Sequence, residues 1–278
     1  LNVGDEVIVP KPYFMEFKYY IESHGGIIKT VSTDKAFQLD VDKIASAITK
    51  NTKAILINSP NNPTGVVYKE EKLKELARLL NEHREKGKKI YLICDDAYRK
   101  IVFDNIQLPN VFKIYDLVIS VTSHSKDLAL PGERIGYIAI SPKIKEIKSL
   151  VSALMFSSRA LGFVNAPALF QRVIGKFQEN SIDVMDYQKK RDYLYKTITE
   201  AGFECVKPQG AFYLFPKSPI KDELEFVKIM QEEERILVVP GRGFGKSGYF
   251  RIAYCVPFEK LLKATDGFIN IGKRYIKG

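Results

Sequence analysis

The order of apolar runs predicts an α/β protein: a mainly parallel sheet packed between helices, followed by a smaller α+β unit. Three observations carry this. Up to residue 141, short β-rich apolar runs alternate with amphipathic helical ones, the pattern of successive βαβ units. From 142 to 201 the pattern turns helical. After 203, short strand-like runs mix with helical stretches.

In order, the expected strands of the first part are EVIVP (6–10), GIIKTV (26–31), KAILIN (53–58), KIYLICD (89–95), DLVISV (116–121) and YIAIS (137–141). Between them lie helical patterns at 14–24, 40–49, 69–87 and 98–103. Helices are then expected at 142–154, 160–178 and 182–201, the last bridging two domains. The remainder reads as strands near 203–206, 211–215, 236–239 and 249–254, with helices at 221–234 and 257–275. Internal repeats and low-complexity linkers are not seen.

The 278 residues suit one large domain or two moderate ones, and the 45% hydrophobic and 27% charged shares are ordinary for a folded, soluble chain. No apolar run approaches the ~20 residues that span a bilayer, which argues against a membrane protein. The net charge of +10 raises nucleic acid as a partner, but the lysines are interleaved with glutamates, as in KEEKLKELARLLNEHREKGKK (69–89). That is a solvated helical face, not a basic patch with interleaved aromatics. Cys94, Cys205 and Cys255 are far apart and never form a CxxC pair. Free thiols in a reducing compartment, the cytoplasm, are expected. His24, His83 and His124 are equally scattered, so no metal site is expected. The sequence opens at Leu1 and runs almost at once into a strand, which reads as a fragment or trimmed chain.

Three polar clusters each begin where an expected strand ends. NSPNNPTG (58–65) follows KAILIN, DDAY (95–98) follows KIYLIC, and SHSK (123–126) follows DLVISV. In open α/β sheets, ligands bind in the crevice beyond the carboxyl ends of the strands, so three clusters at one edge outline a single site. Lys126 could act as a nucleophilic amine toward an aldehyde if its surroundings are dry. Ser123, Ser125 and, after a Pro-Gly turn, Arg134 would suit a phosphate. An aldehyde bearing a phosphate describes pyridoxal 5'-phosphate.

Each of the other candidates has two readings. Asp95 ends a buried apolar run and needs a partner there; a helix N-terminus or buried arginine would serve, and so would a protonated pyridine nitrogen. Asp96 should point the other way. Tyr98 is either a core residue or a donor to a ring oxygen. Asn62 lies in a turn rich in Asn, Pro and Gly, where its amide could serve the same oxygen, and its peptide bond to Pro63 admits cis. Phe14 is either core packing or a ring stacked on a flat ligand. Arg251, on an apolar strand (YFRIAY, 249–254), calls for a planar anion, either an internal carboxylate or a ligand's. PGRGFGKS (240–247) superficially matches a phosphate-binding loop, but Pro240 stands at the first glycine and a strand follows where a helix is required.

As a set, PKPYF (10–14), NNPTG (61–65), DDAY (95–98), SHSKDLALPGERIGY (123–137), PQGAFYLF (208–215) and VVPGRGFGKSGYFRIAY (238–254) resemble the class I/II aminotransferases of fold-type I PLP-dependent enzymes, aspartate aminotransferase-like. The match runs in the family's order over nearly the whole chain. The resemblance implies a PLP-transferase-like, seven-stranded-type sheet. It also implies a large PLP-binding domain over 1–188, incomplete at its N-terminus, and a C-terminal small domain over 189–278. It implies roles as well: Lys126 as the catalytic lysine that binds the cofactor covalently, and Asp95 on the pyridine nitrogen. Tyr98 and Asn62 would hold the 3'-oxygen, Phe14 the ring face, Ser123 and Arg134 the phosphate, and Arg251 the substrate carboxylate. The reaction implied is a ping-pong transfer of an amino group from an L-amino acid to a 2-oxo acid, aspartate-type first, by a homodimer. A PLP-dependent lyase or synthase on the same scaffold is the alternative, and an inactive aminotransferase-like domain a third. The family's sequence ahead of the first strand, which supplies part of the phosphate cradle, has no counterpart in these residues.

Overall fold

The computed structural model describes residues 1–276. Its main sheet has the order β2-β1-β3-β4-β5-β6, formed by β1 (Glu6–Lys11), β2 (Ile27–Ser32), β3 (Thr52–Asn58), β4 (Tyr91–Asp95), β5 (Val118–Ser123) and β6 (Gly136–Ile140). The first five strands are parallel, and β6 pairs antiparallel to β5. These are six strands of the expected seven-stranded type.

Both faces of the sheet are covered, which is why the central strands read as continuous apolar runs. In β1, Val7, Ile8 and Val9 are all buried. Ile8 joins Ile55, Ile57, Leu92, Cys94 and Val118 on one face, while Val7, Val9 and Ala54 meet Phe17 and Ile21 on the other. The covering helices are α1 (Glu16–Glu22), α2 (Val41–Ala47) and α3 (Glu70–Glu85). In α3 the buried Leu73, Leu76, Ala77 and Leu80 lie at helical spacing, giving one apolar stripe. Asp40 caps α2 by accepting the Lys43 N–H at 3.1 Å. The short helices α4 (Val111–Ile114) and α5 (His124–Asp127) flank β5.

Next come α6 (Ile147–Ala160), α7 (Ala168–Lys176) and α8 (Val184–Glu200). The helix expected over 160–178 is therefore shorter. Gly162, at φ 88°, lets the Phe163 N–H close back on the Ser158 carbonyl and terminate α6. Pro167 then starts α7. The last part carries a small antiparallel sheet, β7-β9-β8, from β7 (Tyr213–Leu214), β8 (Val239–Pro240) and β9 (Phe250–Ala253). It is packed by α9 (Glu223–Glu233) and α10 (Phe258–Tyr275) around Phe203, Phe226, Phe250 and Phe268.

Two expected elements are absent. Residues 98–103 form turns and a single bridge, Val102 to Gly210, instead of a helix. The Phe103 N–H bonds to the Gln209 carbonyl and the Ala211 N–H to the Ile101 carbonyl, so long-range pairing overrides local helical preference. Residues 203–206 form no strand: the Glu204 carbonyl meets only the Lys217 N–H, while the Phe203 ring fills the core.

One buried arginine ties the two parts together. Arg191 of α8, fully buried, forks onto Asp104 at 2.9 and 2.8 Å, donates to the Pro208 carbonyl, and lies 4.8 Å from the Phe103 ring centre. It fixes the loop after β4 against the 208–211 segment that leads into β7.

Candidate active site

Strand register builds the site's floor. Asn58 at the end of β3 lies opposite Asp95 at the end of β4, and Asp95 opposite Val121 of β5, so all three polar clusters leave the sheet at one edge. Asn58, buried, links two of them: its Nδ2 donates to the Asp95 carbonyl at 2.9 Å and its Oδ1 accepts the Asn62 N–H at 2.7 Å. The turn that follows is closed by Asn61, whose Oδ1 accepts from the Thr64 N–H and hydroxyl. The Asn62–Pro63 peptide is cis. Gly65 has φ 69°, and a Cβ there would sit 2.6 Å from Pro208, so glycine is required where this turn meets the 208–210 segment.

Asp95 is the least satisfied carboxylate of this edge. It accepts one hydrogen bond, from the Ala97 N–H at 3.2 Å, and has no ion-pair partner among the described residues. Burial pushes its carboxyl up to about 6, against the Ala97 bond and with help from the charge of Asp96. Of the two readings open in the sequence, the internal one (a buried arginine or helix N-terminus) is not realised. Asp96 does turn the other way, onto the Ser120 hydroxyl.

A line of contacts runs from here through both parts of the molecule. Arg251 of β9 donates through Nη1 to Asn62 Oδ1 at 2.9 Å, and its guanidinium lies 4.5 Å from the Tyr213 ring centre and 4.8 Å from that of Phe244. Its Nε is buried without a partner. The Tyr213 hydroxyl is 2.8 Å from that of Tyr98, and both rings are buried. Burial raises both phenols. Tyr98 packs edge-on against Phe212, and the half-buried Lys126 places Nζ 5.8 Å from the centre of that same ring. Lys126, Tyr98, Arg251, Asn62 and Asp95 are thus brought together by contacts that pass through Phe212, Tyr213 and Asn58.

The other expected residues lie at the margin. Ser123 ends β5 and caps α5: its oxygen accepts the Ser125 N–H at 3.1 Å, and its hydroxyl donates to Ser125 Oγ at 2.7 Å. Arg134 follows a short 3₁₀ turn in the left-handed region, φ 49°; it is exposed and donates to the Pro131 carbonyl. Gly136 holds this segment against β5, since a Cβ there would lie 2.3 Å from the Thr122 carbonyl oxygen. Phe14 is half-buried and edge-on to Phe17 at the entrance of α1, in contact with the sheet's core. Tyr20 and Glu16 of α1 were not anticipated. Partial desolvation of this exposed side chain, the Glu16 hydrogen bond and the field of Asp95 push the Tyr20 phenol up to about 12, with Arg134 opposing. Tyr213, Phe212 and Asn58 were missed too, though PQGAFYLF was visible as a motif. A broad groove of about 520 Å³ lies apart, between β6 and α6–α7.

The donor set suits pyridoxal 5'-phosphate. A half-buried carboxylate lacks an ion-pair cation among the described residues, an arginine keeps an unpartnered Nε, and an amine stands over an aromatic ring.

A family model described as aminotransferase class I and II matches residues 1–268. Curated relatives include an aspartate aminotransferase of Thermotoga maritima, 32% identical over 270 residues (96% of this chain and 69% of that protein). Another is an aspartate/prephenate aminotransferase of Thermus thermophilus, 33% identical over 278 residues (98% and 70%). Among solved structures, an amino transferase of Eubacterium rectale superposes with TM-score 0.95 at 41% identity, covering 99% of this chain and 70% of that one.

Proposed function

Because the chain belongs to the class I and II aminotransferases, we propose that it uses pyridoxal 5'-phosphate to transfer the amino group of an L-amino acid, aspartate first, to a 2-oxo acid. Asp95 carries this reading: a half-buried carboxylate at the strand edge with one N–H donor and no ion-pair cation among the described residues. Aspartate is chosen because relatives covered over two thirds of their length bear that name.

When bound, the cofactor supplies an electron sink for the charge left when the substrate's α-proton departs. The chain's residues do the rest. Asp95 keeps a proton on the ring nitrogen through a charge pair. Tyr98 and the Nδ2 of Asn62 donate to the ring's 3'-oxygen, the Oδ1 of Asn62 being already taken by Arg251. Phe14 would cover the ring, and Ser123 and Arg134 would hold the phosphate. Arg251 turns its unpartnered Nε edge to the substrate's α-carboxylate, a planar anion matched to a guanidinium. Lys126 anchors the cofactor at rest. Its Nζ would also serve the substrate's α-proton, as base and then as acid.

The reading assigns residues 1–188 to a large cofactor-binding domain and 189–278 to a small one, with Arg251 contributed by the latter. It also assigns a homodimer. In support, Tyr137, Ile138, Met155 and Phe163 are all exposed along the groove beside β6, a broad apolar face of the kind that marks an interface. No helix among the described residues is long and apolar enough to cross a membrane, and Cys94, Cys205 and Cys255 are free, which fits a reducing cytoplasm.

Borohydride reduction of the protein with cofactor should fix the label on Lys126, and Lys126→Ala should abolish turnover. A label elsewhere, or retained turnover, overturns the reading. Aspartate without a 2-oxo acid should give one stoichiometric conversion to the pyridoxamine form. Continuous release of ammonia or pyruvate would instead identify a lyase.

A further inference from the structure

Tyr213 stands where two candidate functions meet, and none of the roles above uses it. It enters from β7, in the small sheet, and is buried. Its hydroxyl is 2.8 Å from that of Tyr98, which comes from the loop after β4 in the large sheet. Its ring faces the guanidinium of Arg251 at 4.5 Å. Arg251 in turn reaches Asn62 on the far side of the same junction.

The chemistry of a phenol explains why this placement matters. A hydroxyl has one proton to give and lone pairs to accept. If Tyr98 spends its proton on a ligand oxyanion, its own oxygen gains negative character and calls for a donor. In a buried setting, that donor must be protein. The Tyr213 hydroxyl is already at hydrogen-bond distance, and a chain of two donors polarises each bond more than either alone. Without a ligand either phenol can donate to the other; an oxyanion next to Tyr98 would fix the direction from Tyr213 to Tyr98. The ring of Tyr213 does separate work. Cation–π contact fixes the plane of the Arg251 guanidinium. With Nη1 committed to Asn62, the buried Nε is left free.

We infer that Tyr213 is a positioning residue with two partners: its hydroxyl backs Tyr98 at the ring-oxygen site, and its ring orients Arg251 at the carboxylate site. One side chain therefore couples the two sites across the junction between the sheets. This rests on the roles given above to Tyr98 and Arg251. Asp95 and Arg251 are the charged groups that act on Tyr98, and Arg251 and Cys255 those that act on Tyr213.

Two variants separate the two functions. Tyr213→Phe removes the hydroxyl and keeps the ring; Tyr213→Leu removes both. In Tyr213→Phe, the pH midpoint of the bound cofactor's visible band should rise by roughly half a unit to one unit, the size of one lost neutral hydrogen bond. The amino-acid KM should stay within about twofold of the parent's. In Tyr213→Leu the KM should also rise, by roughly three- to thirtyfold, as one cation–π contact is lost. In a Tyr98→Phe background, Tyr213→Phe should have no further effect on the midpoint, because its hydroxyl acts only through Tyr98.

An unchanged midpoint in Tyr213→Phe, or additive effects in the double variant, overturns the inference even if Tyr213→Leu fails to fold. A parent protein whose visible band borohydride does not trap on Lys126 overturns the functional reading and this inference together. A trapped parent with an unresponsive Tyr213→Phe overturns the inference alone.

Discussion

Asp95 and Glu223 are two carboxylates with opposite fates, the first half-buried at a strand edge and the second fully buried. Asp95, at the end of β4, receives one N–H and no cation, and burial lifts its carboxyl to about 6. Glu223, opening α9, is 1% exposed yet fully answered. Arg242 Nε donates to it at 2.8 Å and the Gly248 N–H at 3.1 Å, and the Arg242 bond holds its carboxyl down at about 2. The more deeply buried of the two is the one with the lowered carboxyl, so burial alone does not set a carboxyl's state. The missing counter-charge does. The region around Glu223 has finished its electrostatics on folding, whereas the strand edge around Asp95 has left its own incomplete.

The strongest way to break this contrast is Asp95→Asn. Turnover should fall by roughly a hundred- to several thousandfold, the rate equivalent of the ~3–5 kcal/mol lost when one partner of a dry ion pair is removed. The ligand-free protein should move the other way. The ordinary carboxyl value is 3.8 and the folded one about 6, so between these the native state holds a proton that the unfolded chain has released. Stability then falls as pH rises through that window, and above it a penalty of about 3 kcal/mol persists. Asp95→Asn should remove the penalty and raise the melting temperature of the ligand-free protein at pH 8. Calorimetry that finds Asp95→Asn less stable there would mean that the carboxylate has an internal partner after all.

These two carboxylates were not equally legible in the sequence. Asp95 could be singled out because five apolar residues precede it, which announces a buried strand end. Asn62, Lys126 and Arg251 were readable for the same reason: each follows or interrupts an apolar run. Glu223 was hidden, because its partner Arg242 lies 19 residues away in a turn that resembles a phosphate loop. Arg191 was hidden likewise, inside a helix that also carries the solvent-facing Lys189, Lys196 and Glu200. Residues 98–103 were misread as helix because their bonds go to 209–211, more than a hundred positions on. Local pattern reports which backbone is buried; it does not report what a side chain meets across the fold. Tyr213 shows both sides, visible within a motif but without a role until its distance to Tyr98 is known.

Glu223→Gln sharpens the contrast from its other end. The charge-assisted bonds to Arg242 should be lost at a cost of about 2 kcal/mol, discounted because Arg242 is half in solvent. Turnover per folded molecule should be unchanged at neutral pH. The sign with pH is the reverse of that for Asp95. The folded value, about 2, lies below the ordinary 4.5, so the contribution is complete above 4.5 and drains away as pH falls toward 2. Melting curves of the parent should lose this increment on acidification, and those of Glu223→Gln should not. Parallel curves for the two proteins would show that the Glu223–Arg242 pair contributes nothing to the fold.

Arg134 gives the smallest effect and the finest test, because it belongs to the unfinished edge without being buried. Its guanidinium has one partner, the Pro131 carbonyl, and is otherwise in solvent. Removing it should leave the ligand-free melting curve unchanged within about 0.5 kcal/mol, as for any exposed side chain free of a network. Alanine takes over a left-handed backbone that arginine tolerates no better. A phosphate brought beside it would still lose a charge-assisted bond. Cofactor affinity in Arg134→Ala should therefore fall by roughly tenfold, measured by titrating the visible band, with added inorganic phosphate competing less well than in the parent. Arg191→Met should show the reverse pattern, since that arginine is fully buried and already paired: a large loss of stability, and no direct effect on phosphate competition. If Arg134→Ala instead destabilises the empty protein while binding cofactor normally, its side chain belongs with Glu223 among the settled groups.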